Sequence, residues 1–251
     1  MSDTITQFDN YLSPEGPAAL VIREHLMPVE GADGVFFPST FADIGYNVDY
    51  EDARNKTGRN IALIDSAGSQ ANRIEPMFAE GAYAKLVPQV RIKAGEKTVN
   101  LLDVGHRAGD AIARCSALQG ELQQAFKEVL KGNALPLAKV APTSLVFGVW
   151  DSRDTQAKLP RLIASTVRAF NVRKLTRSAT YFAPMDYVSE GVLAAADAEK
   201  AEGSSKNPLS STGFVNALAT GTHGGVIAAG GIRRDATLPL PALQLPSAGN
   251  Q

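Results

Sequence analysis

The chain has 251 residues, 44% hydrophobic and 20% charged, with a net charge of −1 and a pI of about 6.3, which suits a single globular domain with insertions or two small ones. Such a balance excludes a uniformly basic nucleic-acid coat, so a polyanion would have to be met by charge segregated along the chain. One cysteine, Cys115, excludes a disulfide framework and a thiolate metal site and suits a reducing compartment.

In chain order, Ala18–Met27 reads as a strand with Leu20, Ile22 and His25 alternating against their neighbours. Val29 to Arg59 is punctuated by Gly and Pro and carries acids and aromatics; with its margins, 28–60 is expected to be a partly structured insertion. The brief apolar run Ile61–Ile64 leads to a helix capped by Ser66 or Ser69 and bearing Ala71, Ile74 and Phe78. Two strands follow, Leu86–Ile92 and Thr98–Leu102, joined by the turn Lys93–Glu96. Asp103 is the expected cap of a helix with Ala108, Ala111, Ile112, Cys115 and Leu118 on its apolar face. A further helix, Glu121–Lys131, has Leu122, Phe126, Val129 and Leu130 inward and stops at Gly132-Asn133. The Pro-limited connector ALPLAKVAP comes next.

The stretch Thr143–Ser178 is expected to be a strand–helix–strand unit. Leu145–Trp150 has the length and composition of a buried strand, and Pro160 fits the first turn of a helix. Leu159, Leu162, Ile163, Val167 and Phe170 fall on one helical face, Lys158, Arg161, Ser165 and Arg168 on another. From Ser152 to Ser178 seven bases (Arg153, Lys158, Arg161, Arg168, Arg173, Lys174, Arg177) stand against one acid, Asp154, an electrostatic footprint for a polyanion. A plain solvated face has the same pattern. Pro184–Glu202 reverses the balance, with five acids and one base. The overlapping run AAADAEKAEGSSKNPLSSTG, 194–213, is expected to be a mobile loop, Phe214–Ala219 a short helix, and Ala236–Leu245 a strand that Pro239 and Pro241 push to a sheet edge. No stretch is long and apolar enough to span a bilayer and the N-terminus is not leader-like, so the expected location is cytoplasmic and no membrane partner is expected.

The runs LIDSAGSQANRIEPMF, LLDVGHRAGDAIARCS, LAKVAPTSLVFGVWDSRDTQAKLPRLIAS, LTRSATYFAPMDYV and GGVIAAGGIRRDATLPLPAL resemble the backbone subunit of the type I-U (I-G) CRISPR effector, a Cascade-like complex whose backbone subunits belong to the RAMP superfamily. The similarity runs from Ile61 to Leu243, with Ser189–Ser210 matching poorly. What it implies is an α+β fold: a modified ferredoxin-like, RNA-recognition-type palm with inserted helices and loops, in one domain spanning 1–251. It also implies copies that polymerise head to tail along the CRISPR guide RNA and hold it for pairing with target DNA, alongside a large subunit and a guide-end-capping subunit. A thumb-like projection would fall at 189–213. No enzyme activity, cofactor or metal is implied.

A guide kept free for pairing must be held by phosphate and sugar, which calls for Arg and Lys, amides and hydroxyls, and glycines where backbones approach. The candidate RNA-binding residues are accordingly Ser69, Gln70, Asn72 and Arg73; His106 and Arg107; Trp150, Ser152, Arg153, Gln156, Lys158 and Arg161; Arg168 and Arg177; and Gly230, Gly231, Arg233 and Arg234. Each has a structural reading beside it: helix capping for the Ser-Gln-Asn run, pairing with Asp103 or Asp110 for Arg107, an intersubunit salt bridge for Arg233, and core packing for Trp150. Asp103, His106 and Asp110 would share a helical face suited to a metal, but capping and pairing account for the carboxylates. The glycines of GTHGGVIAAGG fit neither a dinucleotide fingerprint nor a phosphate loop. Two alternatives stay open. One is a metal-dependent RNA endonuclease of the RAMP type using Asp33, Asp43 or Asp49, and the other a monomeric module for single-stranded RNA.

Overall fold

The structure, a computed structural model, describes residues 8–202 and 208–243. The first half contributes strand β1 (Ala19–Leu26), the small hairpin β2 (Thr40–Phe41) and β3 (Gly45–Tyr46), β4 (Val48–Asp52), β5 (Thr57–Asp65) and helix α1 (Ala67–Ile74). Next come the hairpin β6 (Arg91–Ala94) and β7 (Lys97–Asn100) and four helices, α2 (Ala111–Arg114), α3 (Gln119–Leu130), α4 (Leu135–Val140) and α5 (Pro142–Phe147). The remainder comprises β8 (Val149–Trp150), β9 (Lys158–Leu159), β10 (Ala164–Phe170), β11 (Val172–Tyr181), α6 (Ala195–Glu202), α7 (Leu209–Thr212), β12 (Ala217–Ala228) and β13 (Ile232–Pro239). The class is α+β: a five-stranded sheet in the order β1-β13-β10-β5-β4, antiparallel throughout, with a separate helical lobe. The segment 28–60, expected as an insertion, supplies β4 and the start of β5 to this sheet.

The expected strand–helix–strand unit is where the fold departs most from the sequence reading. Leu145 to Phe147 belong to α5, begun by Pro142 and ended at Gly148, whose φ of 81° an L side chain resists; only Val149 and Trp150 are extended. The expected helix over 159–170 is replaced by β9 and β10. On β10 Ser165, Val167 and Ala169 are buried and the alternate residues are not, a period of two that the helical reading of Leu162, Ile163 and Val167 masked. Pairing with β5 on one side and β13 on the other decides the matter, because a central strand satisfies its whole backbone in the sheet. β13 is likewise central, not an edge: Pro239 occupies its last position, opposite Ala19 and beyond the end of the β10 pairing at Thr237, and the ladder to β1 resumes with Leu240 N donating to the Ala18 carbonyl at 3.1 Å. Leu245, the far end of the expected strand, lies outside the described residues. The expected helix at 214–219 is replaced by an irregular stretch and the start of β12, and the only helix nearby, α7, ends before it among the described residues.

β11 and β12 form a two-stranded ribbon that continues β10 and β13 past a corner. The corner is made by Asn171 at φ 49° on one strand and by the turn through Gly231 at φ 79° on the other. Gly230 has no room for a side chain there, since a Cβ would meet Phe170 at 2.9 Å. At the ribbon's far end sit α6 and α7; the stretch expected to be a mobile or thumb-like insertion, 189–213, falls here, with 203–207 outside the described residues.

The sheet core gathers Tyr46, Ala62, Val167, Val172, Val226 and Ile232. The helical lobe has its own core, with Leu122, Phe126, Leu137, Leu145 and Val149 among its members. On α3 Leu122 and Phe126 face inward as expected, joined by Ala125 and by partly buried Val129, but Leu130 is exposed. The Pro-limited connector proves to be α4, which buries Leu137 in this core, and its last residue, Pro142, begins α5. Asp103 does not cap a helix: it ends a 3-10 turn capped by Asn100, and Asp110 caps α2 by accepting from Ile112 N at 3.1 Å.

A candidate nucleic-acid interface between the helical lobe and the sheet

The two cores are joined at a buried ion pair. Arg107, 4% exposed, contacts Glu75, 1% exposed, at 2.6 Å. It also donates to the Gly148 carbonyl at 3.2 Å and to Asn72 Oδ1 at 3.1 Å, and its guanidinium lies 5.6 Å from the Phe147 ring centroid. Burial raises the Glu75 carboxyl above its ordinary range, against the opposing pull of Thr143 and Arg107. Arg107 thus ties α1 to the segment leading into Trp150, and its own guanidinium is turned away from solvent.

Above this pair opens a cleft of about 400 Å³ lined by His106, Phe147, Trp150, Lys158 and Arg161. A second lobe of about 300 Å³ adds Asp110, Arg114 and Arg153, and the two share His106, Trp150 and Ser152. The loop that carries these residues is self-organised. Buried Asp151 accepts from the Thr155 backbone at 2.9 Å and its hydroxyl at 2.8 Å. Gln156 donates to the Ser152 carbonyl at 2.6 Å. Asp154, the one acid of the stretch, accepts from Gln123 at 2.7 Å. Ser152 and Arg153 are left exposed.

Trp150 is not core: 53% of it is exposed, and Lys158 Nζ stands 5.4 Å from its ring centroid. Arg161 donates through Nε to the Phe147 carbonyl at 3.1 Å. Partial burial, and then the charge of Arg107, lower its pKa, so it is a cation held beside another cation. Among the described residues Arg114, Arg153, Lys158 and Arg161 enter no ion pair. His106 does, at 3.5 Å from Asp110. Four unneutralised cations around an exposed indole make a surface that attracts an anion and offers a ring to stack on.

The other sequence candidates are placed elsewhere or engaged within the fold. Ser69 gives its backbone N–H to the Ser66 cap; Gln70 donates to Asp65 at 2.5 Å and accepts from Ser165 at 3.0 Å; exposed Arg73 lies 3.5 Å from Asp65. Arg168 and Arg233 are cross-strand partners on the sheet, where Arg233 also pairs with Asp235 at 2.8 Å and covers the Phe170 ring. Arg234 pairs with Glu24 at 2.6 Å, and Arg177 is on the ribbon. Gly230 and Gly231 make the ribbon corner. Sequence reasoning missed Arg114, whose buried Nε has no acceptor among the described residues; its spacing of four from Asp110 and eight from His106 was the available signal.

Among the described residues no helix is long and apolar enough to cross a membrane, and no group of three His, Cys, Asp or Glu side chains is placed to hold a metal. No curated protein matches the chain. Residues 20–174, well over half of the sequence and including β1, α1, the helical lobe and the whole cleft, match the family described as CRISPR-associated protein GSU0053, and the chain belongs to that family.

Proposed function

We propose that, within the CRISPR defence role its family gives it, this chain is a backbone subunit that binds the guide RNA by its ribose-phosphate strand and leaves the bases free for target DNA. The observation that carries this reading is the cleft: Arg114, Arg153, Lys158 and Arg161, in no ion pair among the described residues and outnumbering the one lining acid, Asp110, around exposed Trp150. Electrostatic contacts to phosphate do not depend on sequence, as a subunit serving every guide requires. Head-to-tail copies along the guide, with large and guide-end-capping subunits beside them, complete the reading, and the ribbon with α6 and α7 is the projection assigned to the thumb. No catalytic role is assigned.

The test is co-expression with a CRISPR array, followed by mass measurement and extraction of bound nucleic acid. A particle holding several protein copies per guide is expected; one copy per RNA whatever its length would refute polymerisation. Arg153→Ala and Arg161→Ala should each weaken binding alike for unrelated RNA sequences and flatten the salt dependence by about one counterion each. RNA products that need a divalent metal and vanish on Asp33→Ala, Asp43→Ala or Asp49→Ala would replace the scaffold with an endonuclease.

A further inference from the structure

Gly68, Asn72 and Glu75 stand at i, i+4 and i+7 along α1 and the turn that extends it, so they form one stripe on the side of α1 that meets Arg161 and Arg107. Each meets a cation or its surroundings. A Cβ on Gly68 would lie 3.6 Å from Arg161 Nη2, Asn72 Oδ1 takes a hydrogen bond from Arg107, and Glu75 pairs with Arg107. A guanidinium has donors only, so the Asn72 oxygen must face Arg107 and its amide nitrogen must face the other way. That nitrogen lies beside Gly105, which lines the cleft; a Cβ there would come within 3.6 Å of it. Among the described residues the nitrogen donates to no protein acceptor, and neither terminal nitrogen of Arg161 does.

We infer that Asn72 Nδ2 and the Arg161 guanidinium form a seat for a single phosphodiester group at the Gly105 side of the cleft, and that buried Arg107 is the positioning residue that fixes the Asn72 amide for it. This rests on the RNA reading above and adds to it the residue contacts of one phosphate. Gly105 keeps the approach open, and the Arg107–Glu75 pair supplies a rigid support of nearly neutral charge, so the net attraction comes from Arg161. Trp150 and Lys158 across the same cleft are placed for the adjoining nucleoside.

The discriminating substitution is Asn72→Asp, measured on the full chain with a fluorescent single-stranded RNA of mixed sequence across a salt series. Asp keeps the acceptor toward Arg107, so the melting temperature should hold or rise, but it replaces the donor facing the seat with a negative oxygen. A hydrogen bond to a charged group is worth about 1.5–3 kcal/mol, so affinity should fall about ten- to a hundred-fold and the salt slope should flatten by about one. Arg161→Ala should lose a similar amount, and the double variant little more than either alone, because both would hold one group. If wild type binds RNA and Asn72→Asp binds within twofold of it, Asn72 only supports Arg107 and the seat is refuted. If wild type binds no RNA, the RNA reading itself fails and the seat with it. Should Asn72→Asp not fold, Gly105→Ala decides: it adds one methyl into the approach and leaves in place the Gly105 carbonyl that Arg107 reaches at 3.5 Å, with the same loss expected and unchanged affinity refuting the seat.

Discussion

Replacing Arg107 by Met tests whether one buried pair holds the helical lobe to the sheet. The substitution leaves Glu75, 1% exposed, as a carboxylate with no counter-charge, and it strips the donors from the Gly148 carbonyl and Asn72. Breaking a buried pair from one side costs about 3–5 kcal/mol, because the surviving charge stays desolvated. For a chain of this size 1 kcal/mol moves the melting temperature by about 2–4 °C, so a fall of about 6–20 °C is expected in a calorimetric or fluorescence melt. Adding Glu75→Leu to Arg107→Met removes the stranded charge and should restore most of that loss. A single variant that melts within 2 °C of wild type, or a double variant no better than the single, would show that the pair is not what joins the two cores.

Glu75→Gln addresses the same pair through pH. The folded carboxyl titrates above its ordinary value of 4.5, so between that value and the folded one the native state binds more protons than the unfolded chain. Stability from this group is therefore fully present below about 4.5 and is lost as pH rises through the folded pKa. Denaturant titrations from pH 4 to 7 should show wild type losing ground to Glu75→Gln as pH rises; a gain would contradict the assignment. Trp150→Ala should leave the melt nearly unchanged, since the ring is half exposed, while RNA affinity falls by the roughly 1–3 kcal/mol that stacking one base is worth. Equal affinity would make the indole plain surface.

What the sequence made legible was local chemistry. Ser66 as a cap, the strand at Ala19–Leu26, the hairpin over 91–100 and the inward face of α3 follow from neighbours within a few positions. β10 was illegible because its residues satisfy a helical and an extended period at once, and only β5 and β13, distant in sequence, choose between them. The cleft was half legible. Trp150, Ser152, Arg153, Lys158 and Arg161 cluster in sequence, so their grouping was visible. Arg107 was chosen for its charge and was expected, if paired, to pair with Asp103 or Asp110. Its partner is Glu75, 32 positions back, a contact made only by the docking of α1 against the lobe. Arg168 was grouped with the basic stretch and Arg233 with the Gly-rich run after it, and the strand register brings the two together on the sheet, away from the cleft residues.

Among the described residues β1 is hydrogen-bonded on one side only, to β13, and lies at the margin of the sheet with Leu20, Val21, Ile22 and Leu26 open to solvent. An extended margin of this kind recruits stray strands, and the usual safeguard is charge planted mid-run. Here that safeguard is Arg23 and Glu24, each tethered sideways to β13, at 3.0 Å to Asp235 and 2.6 Å to Arg234. The colloidal behaviour of the isolated polypeptide therefore depends on two side chains far from the cleft, and handling at high ionic strength, which screens them, will favour clumping over dispersion.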